Sequence, residues 1–243
     1  MNSIKILHIP TQNEPFLIVD KPSGIPSAPL TSDDKENALI MASEVYPEIL
    51  KVAGKKEIEY GLIHRLDTAT SGLLMIAVTQ QFYDYIIQQQ KEGKFYKTYY
   101  AECDSIPDNY NKLGAYPEKN FDDTAMVLKV KSYFRPYGPG RREVRPVTED
   151  CGKAALSKVG KLTEYSTEIA VVMENEDSVQ VLCRINNGFR HQVRSHLSWC
   201  GLPVKGDNLY NINYRGNENC NLHFAAVKLE FTLENGVSFS IER

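Results

Sequence analysis

LIHRLDTATSGLLMIAVT, residues Leu62–Thr79, is the stretch on which the reading of the whole chain turns. It sets His64, Arg65 and Asp67 inside an apolar run, adds a turn containing Thr68, Thr70, Ser71 and Gly72, and ends on a second apolar run of strand character. An aspartate between Leu66 and the LLMIAV segment loses part of its hydration, which is costly unless a cation or several hydrogen bonds compensate it. Two readings of Asp67 follow. In one it caps the turn, its carboxylate accepting backbone N–H groups from Ala69 or Thr70. In the other it is a reactive carboxylate, and the residues alone leave both open.

On either side of this stretch, strands are expected at 4–8 and 16–20, the second running into the turn Lys21-Pro22-Ser23-Gly24. Apolar spacing between Glu36 and Tyr46 predicts an amphipathic helix stopped at Pro47, and polar Lys51–Glu59 reads as a mobile connection. A helix follows over Gln80–Lys91, then an aromatic-rich strand over Phe95–Cys103 and another over Ala125–Phe134. The segment RPYGPGRREVRPV reads as an exposed loop, its arginines in solvent or on a ligand. Strands are expected at Thr163–Met173 and Val179–Ile185, a helix within FRHQVRSHLSWC, and a terminal hairpin from His223 to Ile241 around Glu234-Asn235-Gly236. Strands outnumber helices and succeed one another like hairpins, which predicts an α+β fold with a mixed, mostly antiparallel sheet and flanking helices and loops.

The 243 residues, 42% hydrophobic and 24% charged, could form one large domain or two small ones. No run of about eighteen apolar residues is present and the N-terminus is not built like a secretory leader, so a cytoplasmic protein without a membrane partner is expected. Five cysteines with no C-x-x-C pair suggest reduced thiols rather than a disulfide framework or zinc ribbon. A net charge of −3 excludes a protein that coats nucleic acid indiscriminately. A nucleic-acid partner would need local basic patches, and two stand out: Lys129–Lys161, whose only acids before Glu164 are Glu143, Glu149 and Asp150, and Arg184–Lys205, which has none.

No G-x-G-x-x-G, Walker A, H-E-x-x-H or G-x-S-x-G motif occurs, and His191 and His196 lie five apart, off one helical face. No cofactor and no metal are therefore expected, and any chemistry falls to side chains.

The central stretch, His64-Arg65-Leu66-Asp67-Thr68-Ala69-Thr70-Ser71-Gly72, resembles the HRLD-x-x-TSG signature of the RluA-type RNA pseudouridine synthases. Val19-Asp20-Lys21-Pro22-Ser23-Gly24 is similar to that family's K-P-x-G segment and Lys97-Thr98-Tyr99 to its K-x-Y segment. Arg190–Leu197 is similar to its R-x-H-Q-[IL]-R-x-H region, and Gly201–Tyr210 to its G-x-P-[IV]-x-G-D-x-x-Y tail. The resemblance implies isomerisation of uridines in ribosomal or transfer RNA to pseudouridine; a monomer is the default expectation, with a single catalytic domain over 1–243 and without the N-terminal S4-type domain that many relatives carry.

By motif position the resemblance makes Asp67 the catalytic carboxylate, Arg65 the base-displacing arginine and Tyr99 the ring that stacks on the detached uracil. Arg194 is the cation expected to keep Asp67 ionised, with an RNA-phosphate contact as its other reading. His64, Thr70, His191, Gln192 and Val193 fall among the implied substrate-binding residues, Val193 as a wall that excludes water. The chain departs from the pattern at Gly188-Phe189-Arg190, where the family usually has G-R-[ST]. Arg190 is then an expected RNA contact, and Pro136–Pro146, with Arg141 and Arg142, the expected targeting segment. Two rivals remain: a hydrolase that lets water in and releases uracil, and an RNA-binding module without catalytic activity.

Overall fold

The computed structural model describes residues 4–31, 33–121, 126–160 and 162–243. The chain builds two compact units, residues 1–97 with 225–243, and residues 98–224.

In the first unit β1 (Lys5–His8) and β2 (Phe16–Lys21) pair antiparallel, and β2 pairs antiparallel with β3 (Ser71–Ala77) from Phe16↔Ala77 to Lys21↔Gly72. The strand β9 (Phe224–Thr232) joins β3 in parallel at Ser71↔Ala225 and Gly72↔Ala226, and β10 (Ser238–Glu242) closes a hairpin with β9. Two helices flank this sheet. The first, α1 (Ala38–Ser43), starts where the Asn37 side chain accepts the Ile40 N–H at 3.0 Å, and it is shorter than the 36–46 spacing predicted because a 3-10 turn begins at Pro47. The second, α2 (Gln80–Lys91), has Thr79 as its cap and buries Phe82 and Ile86. The Phe82 ring meets Phe16 (4.9 Å between centroids) and Phe231, which in turn meets Phe95, an aromatic core in which each fully buried ring contributes about 1.5–3 kcal/mol. Lys51–Glu59 is built into this unit by 3-10 turns at Pro47–Lys51 and Glu57–Glu59, with Glu59 buried.

Two neighbours fix β3 at its ends. At one, Gly72 has φ +112, and a Cβ there would lie 2.1 Å from the Ala226 carbonyl oxygen, so only glycine lets β9 approach. At the other, Leu62 bridges Ile76, with Ile63 N–H on Met75 O at 3.1 Å and Ala77 N–H on Gly61 O at 2.8 Å. Residues 64–70 are therefore the loop of a tight reversal whose two arms are both held.

In the second unit β4 (Tyr96–Cys103) enters from the first and lies beside β8 (Val179–Ile185). From β8 the sheet runs antiparallel through β7 (Tyr165–Glu174) and β5 (Val127–Tyr137) to β6 (Glu143–Val147). The predicted strand from Ala125 thus begins at Val127; Ala125 itself, like Lys161 of the first basic patch, is outside the described residues. Short helices α3 (Asn109–Leu113) and α4 (Lys153–Leu156) carry no clear periodic signal, and α5 (Gln192–Trp199) is buried along its whole length.

The expected exposed loop RPYGPGRREVRPV is corrected: it is mostly a β5–β6 hairpin, with Arg135↔Arg145 and Phe134↔Pro146 paired. Proline misleads here because β6 is an edge strand, which tolerates a missing N–H. Arg145, expected in solvent or on a ligand, is fully buried; its guanidinium lies 4.5 Å from the Tyr116 ring and 4.6 Å from that of Tyr137, and is paired with Glu143 at 2.6 Å.

Candidate functional site

In the first unit, the 64–70 loop is gripped through its backbone by the segment Lys21–Ser27. The Ser27 hydroxyl donates to Leu66 O at 2.8 Å and accepts the Leu66 N–H at 2.9 Å. Gly24 N–H reaches Thr68 O at 2.9 Å, the Ser23 hydroxyl reaches Ala69 O at 2.7 Å, and Thr70 N–H closes the turn on Asp67 O at 3.0 Å. The turn-closing hydrogen bond thus ends on the main-chain carbonyl of Asp67. Its carboxylate is half-buried while Leu66 and Thr70 on either side are buried, so the loop is rigid and presents one acid to partial solvent.

The sequence reading quoted Lys21 but gave it no role. It is fully buried, and its ammonium donates to the carbonyls of Pro22 (2.9 Å), Ile25 (2.7 Å) and Thr68 (3.1 Å). Burial pushes its pKa down to about 8, and the negative charge of Asp67 opposes that shift. Lys21 is a cation whose field reaches Asp67 and whose hydrogen bonds hold the residue after it. A lysine beside proline in a strand-ending turn, followed by glycine, was the available signal.

Arg65 is exposed, and its Nη1 lies 3.1 Å from Oε1 of buried Glu59, so its carboxylate partner is Glu59. His64 is buried with Nε2 accepting the Met75 N–H at 3.3 Å, and its ring lies 5.8 Å from that of Phe95. Burial, with the nearby Lys97 charge, pushes His64 down to about 3, so it is a neutral core residue at the root of the loop. Thr70 is 1% exposed and its hydroxyl has no hydrogen-bond partner among the described residues.

In the second unit, Tyr99 is buried and stacks on Phe224, ring centroids 5.1 Å apart and planes within 8°. Phe224 is the ring that fixes its plane, and sequence reasoning missed it because the two are far apart in the chain. Lys97, two residues earlier in the same strand, is buried, which pushes its ammonium down to about 8.

Arg194, on buried α5, is held by Asp207: Nε to Oδ2 and Nη2 to Oδ1, both 2.7 Å. Asp207 also accepts the N–H groups of Leu209 and Tyr210. Burial alone would raise its pKa, but the Arg194 charge and these hydrogen bonds hold it below the ordinary carboxylate range. Asp207 accounts for two of the five N–H donors of that guanidinium. The aspartate was visible in the G-D-x-x-Y tail, yet nothing in its spacing from Arg194 announced the pair.

The other predicted residues of α5 divide by exposure. Gln192 is a brace, donating to Ser166 O and Thr167 Oγ1 and accepting the Phe189 N–H. Val193 is buried, while half-buried His191 sits in the left-handed region (φ 55) with Nδ1 3.1 Å from the Tyr210 hydroxyl. Arg190 donates to the main-chain oxygens of Arg141 and Glu143, and Arg141 and Arg142 are exposed. The basic patches are less basic than their runs suggest. Lys129 pairs with Glu168, Lys131 with Glu164 and Lys205 with Glu102, acids that lie outside each run. Among the described residues, no group of three or more His, Cys, Asp or Glu could hold a metal ion, and no helix is long and apolar enough to cross a membrane.

Comparison with known proteins gives the family. A family model described as RNA pseudouridylate synthase matches residues 15–199. The chain is 29% identical over 206 residues to the tRNA pseudouridine(31) synthase of Saccharomyces cerevisiae, covering 82% of this chain and 45% of that protein. It is 25% identical over 205 residues to the ribosomal large subunit pseudouridine synthase D of Zymomonas mobilis, covering 84% and 56%. It thus spans about half the length of these curated relatives. The solved structure of human RNA pseudouridylate synthase domain containing 1 superimposes with a TM-score of 0.68 at 17% identity, covering 99% of this chain and 83% of that one, a likeness of fold.

Proposed function

Because the chain belongs to the RNA pseudouridylate synthase family, we propose that it isomerises uridine in RNA to pseudouridine, with Asp67 as the catalytic carboxylate. The N1–C1′ bond of the target nucleotide breaks, the uracil turns while still held, and a C5–C1′ bond forms. The C5 proton is lost and N1 gains one, so no electron donor or acceptor is needed.

One observation carries this reading: the complete HRLD-x-x-TSG motif is folded into a loop pinned at Leu66, Thr68 and Ala69, with Asp67 half-buried at its centre. A carboxylate so placed is oriented by its backbone and needs little reorganisation to act. Arg65, on an exposed stem, is suited to enter the stack that the flipped base leaves. Tyr99, its plane set by Phe224, is suited to hold the detached uracil by stacking without fixing its rotation. Arg194, forked onto Asp207, is assigned as a further catalytic residue of the same reaction. Thr70, His191 and Val193 are assigned to substrate binding, whereas His64 and Gln192 act as supports, each from the core of its own unit. The names of the relatives favour transfer or ribosomal RNA as substrate, and a monomer working in the cytoplasm is our reading of the chain.

The test is tritium release from RNA labelled at uracil C5. Wild type releases label and forms pseudouridine in equal amounts, while Asp67→Asn folds, binds RNA and releases none. Substantial turnover by the Asn variant refutes the assignment. Free uracil among the products marks a hydrolase instead.

A further inference from the structure

The turn between β5 and β6 holds one of the second unit's non-glycine residues with positive φ, among the described residues. Gly138, Gly140 and Arg141 all have positive φ (76°, 62° and 55°), and Arg141 is not a glycine. A left-handed arginine in a surface turn needs something to hold it there. Its own N–H donates to Gly138 O at 3.1 Å, and its carbonyl accepts Nη2 of Arg190 at 2.6 Å. The same Nη2 reaches Glu143 O at 3.2 Å. Arg190 therefore takes the carbonyls on both sides of Arg142. Two further contacts fix the far side: the Arg215 guanidinium donates to the Glu143 carboxylate at 2.9 Å and to Leu209 O at 2.8 Å.

The chain's departure from the family pattern supplies the clamp. Phe189, in the usual arginine position, stacks on Phe134 with centroids 5.2 Å apart and planes within 5°, and packs against Tyr165. That anchors the base of the next residue, so Arg190 projects toward the turn from a fixed point. Arg141 and Arg142 stay exposed at its tip; among the described residues Arg142 has a loose ion pair with exposed Glu218 at 3.8 Å.

We propose that Arg190 is a positioning residue which, by holding the carbonyls of Arg141 and Glu143, locks the 138–143 turn into a preformed site for the RNA phosphate backbone presented by Arg141 and Arg142. This rests on the RNA-directed function proposed above and assigns the turn's ligand as paired phosphates rather than bases. Two guanidiniums on a strained, prepaid turn lose little freedom on binding, and phosphate neutralisation is the sequence-independent part of RNA affinity.

The experiment is a mutant cycle on the whole chain, with unmodified transfer RNA transcribed in vitro as the probe. The variants are Arg190→Ala, Arg141→Ala/Arg142→Ala and the triple. Arg190→Ala is expected to speed amide exchange at residues 138–143 by about tenfold or more, as the turn opens locally. It should also weaken RNA binding about five- to tenfold. The Arg141→Ala/Arg142→Ala variant should lower the salt dependence of binding by about two phosphate contacts, and adding Arg190→Ala to it should cost nothing further. Unchanged exchange in Arg190→Ala overturns the clamp. Additive losses in the triple overturn positioning and make Arg190 a phosphate contact itself. Wild-type affinity in the double variant overturns the phosphate site. A wild type that converts uridine normally while any of these occurs leaves the proposed activity standing; one that forms no pseudouridine in any RNA refutes that activity, whatever the exchange data show.

Discussion

Each unit contains one buried, neutral histidine, and the two make acid stability calculable. In the first, His64 is held near pKa 3 by burial and the Lys97 charge, and in the second His196 is held near 3 by burial. His196 lies between the Ser132 and Thr167 hydroxyls, at 2.9 and 2.8 Å. Both have a folded pKa below the ordinary 6.5, so between pH 6.5 and 3 the unfolded chain binds protons that the folded chain refuses. Their contribution to stability is therefore complete above 6.5 and falls as the pH drops toward 3. From pH 7 to pH 5 the loss is about 2 kcal/mol for each histidine, or about 4 kcal/mol for the pair. Urea unfolding at the two pH values measures it, and His64→Gln/His196→Gln isolates it from the carboxylates that titrate lower. The fall from pH 7 to pH 5 should be about 4 kcal/mol larger in wild type than in the double variant. Equal falls in the two proteins would show that the histidines are not buried as neutral groups. Single variants separate the units, and His64→Gln should also reduce the acid sensitivity of the arm that leads into the 64–70 loop, read as protection of the Ile63 amide.

Three further substitutions test the supports of the site. Asp207→Ala leaves the Arg194 guanidinium buried without its fork partner and should destabilise the protein by about 3–5 kcal/mol in denaturant unfolding; a change under about 1 kcal/mol means that the cation is compensated elsewhere. Gly72→Ala drives a Cβ against Ala226 O at a φ unfavourable to alanine, so the variant should be recovered unfolded or with β3 and β9 separated, seen as lost amide protection at residues 225 and 226. Glu59→Gln removes the charge facing exposed Arg65, a pair worth at most about 1 kcal/mol to stability. Unfolding should therefore be nearly unchanged, while the KM for RNA shifts as Arg65 is released.

The local grammar of the chain carried much of the fold. Helix α2 announces itself by its Thr79 cap and by Phe82 and Ile86 on one face, and the terminal hairpin by Asn235-Gly236 between alternating strands. Errors fell where tertiary context overrides local preference. Proline in β6 looked like a loop because a sequence does not say which strand is an edge, and Glu59 lay in a polar run yet became buried. The loop carrying Asp67 was legible as a motif. Its rigidity was not, because the groups that pin it, Lys21 and Ser27, are 46 and 40 residues earlier and act through main-chain carbonyls, which have no signature.

The arginines show why charge patterning could locate the candidate surface without dividing it into roles. Arg145, Arg190 and Arg194 all lie in the runs read as basic patches, and each ends in a different environment. Arg145 is sealed between tyrosine rings with Glu143, Arg194 is forked onto Asp207, and Arg190 is spent on two carbonyl oxygens. A guanidinium stays charged in all three places, so net charge and spacing are blind to the difference, whereas its phosphate-binding capacity depends wholly on it. Among the cations that remain, Arg141 and Arg142 are the adjacent exposed pair whose turn is held by another arginine. If the chain acts on RNA as proposed, its net charge of −3 leaves few such cations to spare, and a turn held by another arginine is a physical way to fix them in place.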